Sequence, residues 1–115
     1  MNGLLVALGG ALGASVRFVL VAGSNNPPAV TFLINIAGAF LLGIIAATTA
    51  GRVRLFVGTG VLGGFTTYSA FAVDALSLMS DSILTGLAYA VLTVVVGIVA
   101  AAFGLHLVRT IGGER

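Results

Sequence analysis

From Ala29 to Ala50 the chain runs 22 residues without one charged side chain. A helix needs about 20 mostly apolar residues to cross the hydrocarbon core of a bilayer, so this stretch reads as a membrane span. Three others stand beside it. One runs over about 3–22 with Arg17 as its only charge, and one over about 55–79 with Asp74 close to its end. The last runs over about 82–108 with no formal charge, only His106 near its end. Together they use up most of the 115 residues and leave short loops. The chain is therefore expected to be all-α, a single four-span membrane domain over 1–115, with any function lying inside the bilayer.

Charge closes off the other classes. Only 7% of the residues are charged, against about a quarter in soluble domains, too few to cover a water-facing surface. The net charge of +2 comes from five Arg against three acids, scattered singly, which excludes the dense cationic face that nucleic acid requires. The absence of Cys removes disulfides, thiolate metal sites and redox thiols. A single His cannot build a metal site alone. The first fifteen residues lack the cationic start of a signal peptide and count as part of the first span.

The loops carry turn chemistry. Gly23-Ser24-Asn25-Asn26-Pro27-Pro28 reads as a turn feeding a helix start, Gly51-Arg52-Val53-Arg54 as a polar connection, and Ser80-Asp81-Ser82 as a cap. With four spans, both termini and the Gly51–Arg54 loop share one side. That side collects Arg52, Arg54, Arg109 and Arg115 against no Arg opposite, so the termini are expected to be cytoplasmic.

Glycine accounts for 17 residues, many at small-xxx-small spacing: Gly9/Gly13, Ala39/Gly43, Gly60/Gly64 and Ala100/Gly104. Such spacing lets helices approach closely in lipid and implies a tight bundle rather than a wide pore. The third span differs from the rest. Gly58, Gly60, Gly63 and Gly64 precede Phe65-Thr66-Thr67-Tyr68-Ser69, and paired glycines there are expected to break the helix. A break frees backbone groups that lipid cannot satisfy, and transporters place ion sites at such points. An unbroken helix whose hydroxyls bond back to its own carbonyls is the alternative. The same glycines match G-x-G-x-x-G, which has meaning only inside a soluble βαβ unit and is here a coincidence.

The polar inventory favours an anion. Arg17 is the one charge placed at membrane depth, either functional or snorkelling to an interface. Asp74 is expected near an interface, so no buried acid is available for proton coupling or a cation pore. The remaining groups are neutral donors: Asn35 in the second span, and a Thr85, Tyr89, Thr93, Gly97 stripe in the fourth. Tyr68 and Phe71, three residues apart, share a helix face. Amide and hydroxyl hydrogens and the positive rims of aromatic rings all suit an anion. One such chain has little room for a lumen, so a pore would form with a second chain.

At three motifs the chain resembles the Fluc/CrcB fluoride channels along essentially its whole length. They are Gly9-Gly10-Ala11-Leu12-Gly13-Ala14-Ser15-Val16-Arg17, Asn35-Ile36-Ala37-Gly38-Ala39-Phe40 and Gly63-Gly64-Phe65-Thr66-Thr67-Tyr68-Ser69-Ala70-Phe71. The resemblance implies an antiparallel, dual-topology dimer with two narrow fluoride pores. It implies a structural, untransported Na+ held by the backbone carbonyls of Gly63 and Thr66. It places fluoride against the rims of Tyr68 and Phe71, with Asn35, Ser69, Tyr89 and Thr93 as polar pore residues. Two positions depart from the family pattern: Tyr68 stands where Phe is usual, and Ala70 where Thr is frequent. The Arg asymmetry is at odds with insertion both ways, and suggests pairing with an oppositely oriented paralogue instead of a second copy. The implied activity is passive fluoride export across the cell membrane. The alternative from another class is a non-conducting subunit that assembles with a paralogue or a larger membrane complex. No nucleophile–base pair or metal set points to an enzyme.

Overall fold

Asn26, Pro27 and Pro28 show how the chain sets its helix boundaries. In the computed structural model, which describes residues 2–112, the two prolines occupy the first positions of a helix. A missing N–H costs nothing there. Asn26 Oδ1 accepts the Ala29 N–H at 3.4 Å. This helix, α2 (Pro27–Thr48), follows α1 (Asn2–Ala22) across a tight polar turn. Every regular element among the described residues is helical, and four stretches are long and apolar enough to cross a membrane. Arg115 lies outside the described residues.

The second connection is shorter than expected. It is only Thr49 and Ala50, both extended. Gly51 opens the next helix at φ +61°, in the left-handed region that favours glycine. Arg52 and Arg54 therefore sit on helix rather than in a loop. The Arg54 guanidinium turns back to donate to Ala46 O at 2.8 Å and to Thr49 O, capping the carbonyl end of α2.

The third crossing comes in two pieces, α3 over residues 51–65 and α4 (Tyr68–Asp81). Within α3, Arg54–Leu62 winds as a wide helix, with Gly63 N–H closing back on Gly58 O. Such i→i+5 turns are rare and gather at functional sites. Ser82 then caps α5 (Ile83–Ile111), its Oγ accepting the Thr85 N–H at 3.4 Å. At 29 residues, α5 is about 43 Å long, longer than a hydrocarbon core of about 30 Å, and Arg109 lies in its last turn.

Two helix pairs build the molecule: α1 lies along α3, and α2 along α5, with α4 closing on α5. Glycine makes both seams. A Cβ on Gly9 would stand 2.9 Å from Gly60 Cα, one on Gly13 2.7 Å from Phe65 N, and one on Gly64 2.9 Å from Gly10 Cα. In the other pair, Gly43 faces the Ala101 carbonyl and Gly104 the Phe40 carbonyl. Backbone thus meets backbone directly, as expected where lipid gives no hydrophobic drive between helices. Few side chains are fully enclosed; most large apolar ones face outward.

The break itself falls at Thr66 and Thr67, not at the glycines expected to cause it. Gly63 and Gly64 remain helical, while Thr66 (ψ 159°) and Thr67 (φ −149°, ψ 128°) are extended. The glycines serve close approach to α1 instead. An uninterrupted rod is excluded.

Candidate functional site at the interrupted crossing

Asn35 on α2 makes the interruption possible. Its Nδ2 donates to Thr67 O at 3.1 Å and its Oδ1 accepts the Thr67 N–H at 2.9 Å. The side-chain amide thus replaces a neighbouring strand and satisfies both backbone groups that the break exposes. The Thr67 N–H that would have closed a turn on Gly63 O is withdrawn by this pairing. Gly38, one turn beyond Asn35, is the second requirement: a Cβ there would strike Thr66 Cγ2. One residue captures the break and the other makes room for it.

Threonines finish both edges. Thr66 N–H and Oγ1 both donate to Leu62 O, at 2.9 Å each, ending α3. Thr67 Oγ1 accepts the Ala70 N–H at 3.1 Å and starts α4. Among the described residues no N–H reaches Thr66 O. A cavity of about 270 Å³ beside this point is lined by Asn35, Gly38, Gly63 and Thr66, with Leu42 and Leu62. Gly63 and Thr66, expected to hold a cation through their carbonyls, therefore border one space. No cluster of His, Cys, Asp or Glu suited to a metal exists among the described residues, so carbonyl and hydroxyl oxygens are what the site offers.

On the far side of the break a second cavity of about 280 Å³ is lined by Asn35, Thr66, Thr67, Tyr68, Phe71 and Thr93. Four of the expected pore residues, from three different helices, meet here. Tyr68 and Phe71 have ring centroids 6.0 Å apart with planes tilted by 48°. Tyr89 stacks on Phe71 at 5.6 Å and 23°. One face of Phe71 is thereby covered, and the half-buried ring borders the cavity. Tyr68 is 81% exposed.

The expected hydroxyl track is only partly available. Tyr89 Oη donates to Pro28 O at 3.3 Å, and Tyr89 borders a different cavity, with Asn26, Pro28 and Phe32. Thr93 Oγ1 donates to Tyr89 O at 2.7 Å, so it can serve an anion only by giving up that bond. Ser69 Oγ sits 3.3 Å from Thr67 Oγ1 at the rim and is not part of the cavity lining. Asn35 keeps one amide hydrogen without an acceptor among the described residues.

Arg17 does not simply snorkel. Its Nε donates to Gly64 O at 3.2 Å, across 47 residues of sequence. Two further features escaped the sequence. Thr67 anchors the break, a role that its place before a helix start signals in retrospect. Asp74, expected near an interface, lies in the middle of α4, and its Oδ2 is buried with no hydrogen-bond partner among the described residues.

Comparison with known proteins agrees with this architecture. The family model described as CrcB-like protein, Camphor Resistance (CrcB), matches residues 4–105. The Fluoride-specific ion channel FluC 2 of Leifsonia xyli subsp. xyli is 44% identical, covering 97% of this chain and 86% of its own length. FluC 1 of Listeria monocytogenes serovar 1/2a is 43% identical, covering 93% and 97%. FluC 1 of Rhodococcus jostii is 47% identical, covering 88% and 80%. With the model and these relatives matched across the same helices that carry the break and its Asn35 latch, the chain belongs to the CrcB family.

Proposed function

We propose that this chain is a passive, fluoride-selective ion channel of the cell membrane that lowers cytoplasmic fluoride by letting the anion leave down its gradient. It is a multi-pass membrane protein and not an enzyme. The observation that carries this reading is the cavity at the break, where Asn35, Tyr68, Phe71 and Thr93 converge, in a family whose relatives are named fluoride-specific channels. Fluoride is small and strongly hydrated. Stripping its water takes donors at close quarters, and an aromatic rim, a free amide hydrogen and hydroxyls in a narrow space supply them.

The working unit is a dimer, formed with a second copy or with an oppositely oriented paralogue. Tyr68 and Ser69 are exposed beside the break, and Thr66 O has no donor among the described residues. Uncovered polar groups at membrane depth call for protein over them. The Arg asymmetry favours cytoplasmic termini and the paralogue; Rhodococcus jostii has both a FluC 1 and a FluC 2. A structural Na+ suits the same place, because Thr66 O is free, Gly63 O has lost the Thr67 N–H, and hard carbonyl oxygens replace the hydration shell of such ions. Bound there, it would supply a fixed positive charge; the chain's own residues hold and orient the carbonyls.

Purified protein in liposomes tests the function. Fluoride efflux read by electrode, with chloride retained, is the expected result. Equal chloride flux would refute selectivity, and no flux from correctly inserted protein would favour an obligate paralogue or an assembly role.

A further inference from the structure

α3 ends inside the membrane, where its last carbonyls have no following turn. One of them receives a cation: Arg17 Nε reaches Gly64 O at 3.2 Å. This is the only hydrogen bond of Arg17, and no salt bridge competes for it, among the described residues. The approach is built in. Gly9, Gly13 and Arg17 recur every four residues and share one face of α1. Gly9 rests on Gly60, and Gly13 lies against Val61 O and Phe65 N, so the next position along the face arrives where α3 stops. A longer residue at Gly13 would hold the guanidinium away.

We infer that Arg17 is a positioning residue, the C-cap of α3 supplied from another helix. A cation at a helix C-terminus meets both the unpaired carbonyl and the negative end of the helix dipole. Asn35 secures the break from the α2 side by holding Thr67, and Arg17 secures it from the α1 side by holding Gly64. Between them they settle where the helix ends, and hence that the pore-lining segment begins at Thr66. The charge acts through this fixed backbone and not through contact with the anion. The functional consequence rests on the channel reading; the structural one stands without it.

Hydrogen exchange on the reconstituted full chain reads the cap directly. Arg17→Met is expected to speed exchange of the amides at residues 66–70 by about tenfold or more, leaving α5 unchanged. Arg17→Lys, which keeps a cationic donor, should stay within about threefold of the parent protein. Fluoride efflux of Arg17→Met should fall about tenfold at low salt and equally at about 1 M salt, where long-range fields are screened. Unchanged exchange at 66–70 would overturn the cap. Recovery of flux at high salt would overturn it too, since that marks a field acting on the anion. Should Arg17→Met fail to insert, Arg17→Leu, which likewise has no donor, gives the same comparison. Parent protein without fluoride flux would sink the channel reading while the exchange data still judged the cap.

Discussion

α2 and α5 pass each other as two continuous rods, whereas α1 passes a crossing that is broken in its middle. Glycine forms both contacts. Gly43 and Gly104 bring α2 and α5 together without interrupting either helix. Gly60 and Gly64 do the same for α1 and α3, and both stay helical. Close packing through glycine therefore does not break a helix. What sets the third crossing apart is a side chain that takes both backbone groups of one residue, Asn35 on Thr67; on α2, Arg54 and Tyr89 reach only the single carbonyls of Ala46 and Pro28 near its ends. The continuous pair keeps its backbone groups within its helices, and the broken crossing leaves polar groups uncovered between its two pieces.

The largest effect is expected from removing the Asn35 latch. Asn35→Leu leaves the Thr67 N–H and C=O unpaired away from water, each at a cost of about 1–3 kcal/mol. The backbone can escape that cost only by re-forming a helix through Thr66 and Thr67, which would erase the cavity. Fluoride efflux from liposomes should drop to background, and thermal stability in detergent should fall. Near-parental flux in this variant would mean that the break does not depend on its side-chain partner, and the contrast between the two pairs would lose its cause.

A smaller and more selective effect separates two aromatic pairs. Phe40 and Phe103 stack at 5.9 Å in the continuous seam, while Phe71 lies between Tyr68 and Tyr89 at the break. Phe71→Ile removes the aromatic rim and should slow fluoride about tenfold or more while the size-exclusion profile matches that of the parent protein. Phe40→Ile should instead lower stability by about 1 kcal/mol and leave flux nearly unchanged. Similar flux losses in both would assign the effect to packing in general.

The sequence disclosed more of the scaffold than of the site. Four apolar stretches, the proline start of α2 and the Ser82 cap are local features, and local chemistry decides them. The site residues could be named through motif resemblance, but their partners could not. Asn35 and Thr67 are 32 positions apart and Arg17 and Gly64 are 47 apart, so neither pairing leaves a periodic trace. Glycine's weak helix propensity taken alone puts the break one turn too early; tertiary capture of Thr67 decides the outcome. The burial of Asp74 Oδ2 without a partner is likewise a matter of packing between helices, which spacing along the chain does not show.

The smallest expected effect bears on whether the broken crossing changes the duties of a neighbouring rod. Thr48 and Thr93 have the same local bond, each donating Oγ1 to the carbonyl four residues back, at 2.8 and 2.7 Å. Thr48 is exposed near the end of α2, whereas Thr93 is buried and faces the cavity beside Phe71. Exchanging a back-bond for an anion costs the hydroxyl about 1 kcal/mol, small against the demand of a dehydrating fluoride for donors. Thr93→Val should therefore reduce fluoride flux about threefold, with Thr93→Ser restoring it and Thr48→Val doing nothing. If Thr93→Val is as silent as Thr48→Val, the α5 hydroxyl is ordinary helix chemistry, and the conducting surface belongs to the break and its aromatic rims alone.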